Sequence, residues 1–263
     1  MNGRFDGKVA LVVGGANADE SRLLGFAGLS ALEIARSGGM VVIADIDDEA
    51  GERSVRKMKE SGLAADYVHL DVTSESDWTE AVAFTTAKHD RLDIMIMAAG
   101  IPDRDETIES TDVDSWRRAM DVTNLGMFLG TRSVVGPMRR SGGGSIVLIS
   151  SMMARVVRDQ ANAYATSRAG MTHFARSAAV QYGSDNIRVN CVLPGWTLTP
   201  FTSGAFDDEW QKRLASRVPL GRVADASDIA GPILFLASDE AKYVTGSELL
   251  ADGGVVGWIG PMD

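Results

Sequence analysis

One cysteine, Cys191, stands among the 263 residues, so no internal disulfide can form and a reducing cytoplasm suits the chain. Three histidines, His69, His89 and His173, are scattered without ligand spacing, which argues against a metal site. No cluster of lysines or arginines builds the basic stripe of a nucleic-acid binder; the net charge of −10 fits an acidic surface that keeps the chain in solution. The N-terminal run reaches Gly14 before any long apolar stretch develops, so neither a secretory signal nor a membrane span is expected. Repeats, linkers and low-complexity tracts are missing as well. These absences leave a cytoplasmic protein of one domain, residues 1–263, with no nucleic-acid or membrane partner.

What is present is enough apolar material for a full core: 45% of residues are hydrophobic and 24% charged. Short β-rich runs alternate with helical periods. Strands are expected at Lys8–Val13, Met40–Asp45, Asp66–Leu70, Leu92–Met97, Ser145–Ser150, Ile187–Leu193 and Ser247–Ala251. Helices are expected over Gly25–Ser37, Asp47–Ser61, Ser74–His89, Val113–Met138, Ala161–Tyr182 and Ser227–Ala237, while Thr197–Val218 reads as irregular. Near-continuous apolar strands between helices predict an α/β Rossmann fold, a doubly wound parallel sheet of about seven strands with helices on both faces. Cys191, inside the apolar run 189–193, reads as a buried strand residue and not as a nucleophile. Ligands of such sheets bind at the carboxyl ends of the strands.

Two of those ends carry chemistry suited to a nucleotide. The first strand runs into Gly14-Gly15-Ala16-Asn17, and a helix opens at Gly25-Phe26-Ala27. Glycines let backbone approach a pyrophosphate, and a helix N-terminus favours its charge. Asp45 ends the second strand, where an acid can accept both hydroxyls of an adenosine ribose and repel a 2′-phosphate. No arginine follows before Arg53, so NAD is expected over NADP; the plainer role for Asp45 is to cap the next helix.

The fifth strand ends in Ser150-Ser151, and Tyr164 follows Ser151 by thirteen positions in the next helix. A tyrosine of ordinary pKa, about 10, needs a neighbouring cation to work as a base near neutrality. Arg168 stands one turn further along the same face and stays protonated.

The text GGGSIVLISS, then NAYATSRAG, with Asp45 and the glycine loop, resembles the short-chain dehydrogenase/reductases over roughly residues 5–255. The resemblance implies that Ser151 holds the substrate oxygen and Tyr164 exchanges a proton with it. Position 168, a lysine in the family, would hold the cofactor ribose. It implies that Asp71-Val72 meets the adenine, and that Pro194-Gly195-Trp196-Thr197-Leu198-Thr199-Pro200 brackets the nicotinamide carboxamide. Ala98-Ala99-Gly100 stands where the family has N-N-A-G, with Met97 in place of the first Asn.

Several positions depart from the family. Val13 replaces a Thr before the glycines, and Ala27 replaces the last Gly. Gly14 and Gly25 stand eleven positions apart, not the usual four. That longer loop, with Ser21 four residues before Gly25, is similar to the enoyl-reductase branch. The family's relay asparagine, three residues before a glycine, falls on Thr123 in register with Gly126, and Asn124 is displaced by one. Either a local bulge restores Asn124 or the relay is altered. Ser-Tyr-Arg is also the triad of the halohydrin dehalogenases, relatives that use the vacated dinucleotide pocket for halide and have no need of a ribose acid such as Asp45.

Around the expected site, Trp196, Phe201, Phe206 and Trp210 lie in or beside an aromatic-bearing segment, about 196–217, that reads as a lid over an apolar or ring-bearing small molecule, or as packing against a neighbouring subunit. Met152 and Met153 could line the pocket, and Arg155 and Arg158 could hold an anion. The C-terminal helix and last strand imply, by the resemblance, a homotetramer or homodimer, with the tail Gly257-Trp258-Ile259-Gly260 covering a neighbour's site. The leading expectation is an NAD(H)-dependent oxidoreductase interconverting a secondary alcohol and a ketone. A halohydrin dehalogenase-like enzyme and a catalytically weakened NAD-binding protein are the alternatives.

Overall fold

The computed structural model describes residues 3–20, 22–102, 107–202 and 207–258. Seven strands form one parallel sheet in the order β3-β2-β1-β4-β5-β6-β7. They are β1 (Val9–Val13), β2 (Met40–Asp45), β3 (Ala65–His69), β4 (Ile94–Met97), β5 (Gly144–Ile149), β6 (Ile187–Pro194) and β7 (Glu248–Ala251). The helices are α1 (Phe26–Arg36), α2 (Asp48–Glu60), α3 (Glu75–His89), α4 (Val113–Met120), α5 (Gly126–Arg140), α6 (Asn162–Tyr182), α7 (Asp208–Ala215) and α8 (Ala226–Ala237).

The central strands β1, β2 and β4 are apolar on both faces because both faces are covered. On β1, Leu11 and Val13 join a core under α3, α5 and α6 that includes Trp78, Met127 and Met171. Ala10 and Val12 face the other way, into a core with α1 and α8 that includes Ala31, Ile34 and Ile233. Successive strand residues point to opposite faces, so a two-sided core consumes an unbroken apolar run. Cys191 is fully buried in the first core, and burial pushes its thiol pKa up.

Strand order reverses between β1 and β4, since β1 is followed across the sheet by β2 on one side and β4 on the other. A crevice opens at the carboxyl ends of such a pair. The loops leaving β1, β2, β4, β5 and β6 therefore surround the same end of the sheet.

Three expectations are corrected. β3 begins one residue early and ends at His69 rather than Leu70. The long helix expected over Val113–Met138 is broken by a π-helical turn at Asp121–Leu125 and runs on to Arg140. A π turn holds one residue more than an α turn, and no simple 3.6-residue period reports it. The segment read as irregular over Thr197–Val218 contains α7, capped by Asp207 through the Trp210 amide. Ser21, Phe206, Ile259 and Gly260 lie outside the described residues. No helix among the described residues is long and apolar enough to cross a membrane.

Candidate active site

The loop after β1 is held in place by contacts from α2. The Ser54 hydroxyl donates to the Ala16 carbonyl and accepts from the Ala18 amide at 3.2 Å, with Ser54 fully buried. Asp19, almost buried, lies 3.7 Å from the Arg53 guanidinium, which also meets Glu49. Ser54 shares the buried stripe of α2 with Gly51, Val55 and Met58. A small polar residue on an apolar helical face was the available signal for this tie, and the sequence reading missed it.

Gly14 takes φ +77°, and a Cβ there would stand 2.7 Å from the Ala99 amide nitrogen. Only glycine combines that backbone region with so close an approach. The loop thus lies directly against Ala99 at the end of β4. Gly25 caps α1 through its backbone alone, with no side-chain hydrogen bond and no acid in the first turn. Helices α2, α3, α4, α7 and α8 all carry a side-chain cap. The first turn of α1, beginning at Phe26, therefore presents amide donors that no side-chain cap satisfies.

Asp45 lies at the end of β2, beside this loop. Its carboxylate accepts from the Ala16 amide at 3.0 Å and from the Asp47 amide at 3.2 Å. Burial raises its pKa above the ordinary aspartate range, opposed by those amide hydrogen bonds. Helix α2 is capped by Asp47, so Asp45 is not spent on that role. Next door, Asp71 accepts from the amide and the hydroxyl of Thr73, and Val72 is buried against Gly126.

Ser151 begins a short 3₁₀ turn, Met152–Ala154, and its oxygen accepts from the Met153 amide at 3.1 Å. That leaves the hydroxyl proton available to an external oxygen. Tyr164 lies in the first turn of α6. The Arg168 guanidinium sits over its ring, 4.8 Å from the centroid. Arg168 is buried, donates to the Ile149 carbonyl at 3.1 Å, and leaves its Nε without a partner. A Cβ on Gly100 would lie 2.2 Å from the Arg168 Nη2, so the glycine makes room for a guanidinium. Ser150 donates to the Arg168 carbonyl, tying β5 to α6.

The π turn brings Asn124 onto α6, where its amide donates to the Ser167 carbonyl at 3.0 Å. Gly170 provides the space, since a Cβ there would meet that amide at 2.9 Å. Thr123 is fully buried, and its hydroxyl has no partner. A bulge is therefore present, and it ties Asn124 to the helix that carries Tyr164.

At the end of β6, Pro194 and Gly195 pass so close to Asp252 that a Cβ on Gly195 would meet its Cα at 2.7 Å. Thr197 and Thr199 are buried and laced to Thr202, whose hydroxyl donates to the Thr197 carbonyl at 2.7 Å. Of the expected lining groups, Met152 is buried in the body, and Arg155 is spent on Glu248, which Arg176 also pairs. Phe201 and Trp210 are exposed.

A parallel sheet with a switch-point crevice, an acid at the end of β2 and a serine-tyrosine-arginine set after β5 define a single-domain Rossmann protein of the short-chain dehydrogenase/reductase type. A family profile described as enoyl-(acyl carrier protein) reductase matches residues 23–256. The chain belongs to the short-chain dehydrogenase/reductase family. It is 38% identical over 253 residues to the cyclopentanol dehydrogenase of Comamonas sp. (strain NCIMB 9872), covering 96% of this chain and 98% of that one. The trans-4-hydroxycyclohexanecarboxylate dehydrogenase of Sinomonas cyclohexanicum is 37% identical over 260 residues, with 97% and 95% covered. A solved 7α-hydroxysteroid dehydrogenase, complexed with NADH and 7-oxo glycochenodeoxycholic acid, superposes with TM-score 0.89 at 30% identity, covering 96% of both chains.

The family binds a nicotinamide cofactor, and the residues here fit one. The uncapped α1 suits a pyrophosphate, the Asp45 carboxylate suits ribose hydroxyls, and the orphaned Arg168 Nε is a donor in want of an acceptor.

Proposed function

We propose that the protein is an NAD(H)-dependent dehydrogenase that interconverts a secondary alcohol and a ketone on a ring-bearing small molecule. The observation that carries this reading is Arg168 stacked over Tyr164, with Ser151 and its available hydroxyl proton on the adjoining turn. In this reading Ser151 donates to the substrate oxygen and fixes it. Tyr164 takes the proton from the carbinol oxygen during oxidation and returns it during reduction. Arg168 lies over the Tyr164 ring and is itself fixed by the Ile149 carbonyl. Asn124 holds α6 in position through Ser167. When bound, the nicotinamide supplies the site that accepts or gives the hydride.

Preference for NAD is supported by Asp45 at the ribose position and by Arg53, whose charge is already engaged by Asp19 and Glu49. The cofactor contacts assigned are Gly14, Ser21, Gly25, Phe26, Asp45, Asp71, Val72, Ala99, Gly100, Pro194, Gly195, Thr197 and Thr199. Ring-bearing substrates are supported by the alcohols named for the relatives, cyclopentanol and a hydroxycyclohexanecarboxylate. The segment 196–217, with α7 inside it, acts as the lid. A homotetramer or homodimer in the cytoplasm completes the reading.

Calorimetric titration with NADH and NADPH, followed by turnover of cyclopentanol with NAD, tests the proposal. Micromolar NADH binding with much weaker NADPH binding is the expected outcome. Arginine at position 168 is what favours a dehalogenase-like alternative. Failure to bind either nucleotide, together with halide release from a halohydrin, would establish that alternative.

A further inference from the structure

A hollow of about 260 Å³ lies beside Tyr164, between the loop after β4, helix α4 and the start of α6. Its apolar wall is formed by Ile101, Pro102, Ala119 and Ala163. Ligand sites for drug-sized molecules run from about 300 Å³ upward, so this space suits one small ring or a short chain.

The polar part of the lining is unequal. Ser115 donates to Asp112 at 2.8 Å, and Asn162 donates to the Thr111 hydroxyl at 2.8 Å, so these groups are committed within the protein. Arg118 is not. It lines the hollow from the same face of α4 as Ser115 and Ala119, yet it has no carboxylate within ion-pair distance among the described residues. Its neighbour Arg117 does pair, with Asp114 at 3.5 Å. Acids outnumber basic residues 36 to 26 in this chain, so the lack of a partner does not reflect a shortage of carboxylates. Among the described residues, no acidic side chain lines the hollow. A planar guanidinium at the edge of an apolar hollow, with no anion beside it among the described residues, is suited to pair with a carboxylate from outside.

We propose that this hollow seats a carboxylate carried by the substrate, held by Arg118 while the alcohol end of the same molecule meets Tyr164. The substrate class is then a hydroxy acid on a single ring, with the carboxylate remote from the carbinol carbon. This inference rests on the dehydrogenase reading above and narrows its substrate.

The test separates the two. Binding of cyclohexanecarboxylate and of cyclohexanol is measured by calorimetry, with and without NADH, for the wild type, Arg118→Gln and Arg118→Lys. Circular dichroism confirms that each variant is folded. The acid should bind at least about tenfold more tightly than the alcohol in the wild type; charge-assisted hydrogen bonds commonly supply that factor. Arg118→Gln should abolish the preference, and Arg118→Lys should restore part of it. Equal binding of acid and alcohol, or a preference that survives Arg118→Gln, overturns the subsite whatever the turnover results show. The dehydrogenase reading fails separately, if neither cyclopentanol nor 4-hydroxycyclohexanecarboxylate reduces NAD. Where turnover is present, the ratio of kcat/KM for the hydroxy acid to that for the neutral alcohol should fall at least about tenfold in Arg118→Gln.

Discussion

The Arg168 guanidinium lies 4.8 Å from the centre of the Tyr164 ring and donates to the Ile149 carbonyl. A cation so placed covers the face of the tyrosine ring, and the strand carbonyl keeps it there. Replacing Arg168 by Met should lower kcat/KM for alcohol oxidation by about 100-fold or more, the scale of general acid–base assistance. Arg168→Lys should keep the charge and retain more of the rate. Steady-state kinetics of both variants against the wild type reads both effects.

Gly100 governs the same arginine from the other side. A methyl group at this position would collide with the Arg168 Nη2. Gly100→Ala should push the guanidinium from its seat, lowering kcat more than it lowers thermal stability. Equal loss in both would mean that the glycine serves only the turn.

Asp45 has a pKa raised by burial, so the native chain holds a proton there at a pH where the unfolded chain has lost it. Between the ordinary aspartate value of about 4 and the raised one, the cofactor-free fold therefore gains stability as pH falls. Binding of ribose hydroxyls runs the opposite way, because only the carboxylate accepts from both. NADH affinity should be flat at neutral pH and weaken on acidification through the raised pKa. Asp45→Asn should bind NADH weakly and show no such pH dependence in calorimetry.

The buried hydroxyl of Thr123 has no partner, whereas the Asn124 amide has one in the Ser167 carbonyl. Thr123→Val, which removes an unsatisfied polar group at nearly constant volume, should be neutral or stabilising. Asn124→Ala should cost about 1 kcal/mol, the net worth of a hydrogen bond, and slow turnover by loosening α6. Chemical denaturation of both variants gives the comparison.

Ser54 offers a control remote from the chemistry. Ser54→Ala leaves the Ala18 amide without a partner and frees the loop after β1, at a cost of about 1–3 kcal/mol. Weaker NADH binding with an unchanged kcat at saturation is the expected signature in kinetics.

The sheet was legible because its central strands β1, β2 and β4 are closed apolar runs, and a two-sided core demands that pattern. Asp45, Ser151, Tyr164 and Arg168 were legible because their spacing follows strand ends and one turn of helix. The π turn was legible only as one of two alternatives, from the one-position displacement of Asn124, since Asp121–Leu125 adds one residue without a mark in the helical period. Ser54 and Arg118 escaped for a related reason: their roles depend on which elements pack together, α2 on the loop and α4 on α6. Helix α7 was missed because Asp208–Ala215 is mostly charged or polar and buries only Leu214.

The uncapped start of α1 has a consequence for how the protein tolerates heat. Five other helices finish their first turns with their own side chains; α1 does not, and in the proposed reading the nucleotide pyrophosphate takes that place. Part of the fold's stability is thus held outside the chain, in the concentration of its ligand, and grows with the logarithm of that concentration. A series of melting curves at increasing nucleotide would trace the saturation of the site without any substrate being known.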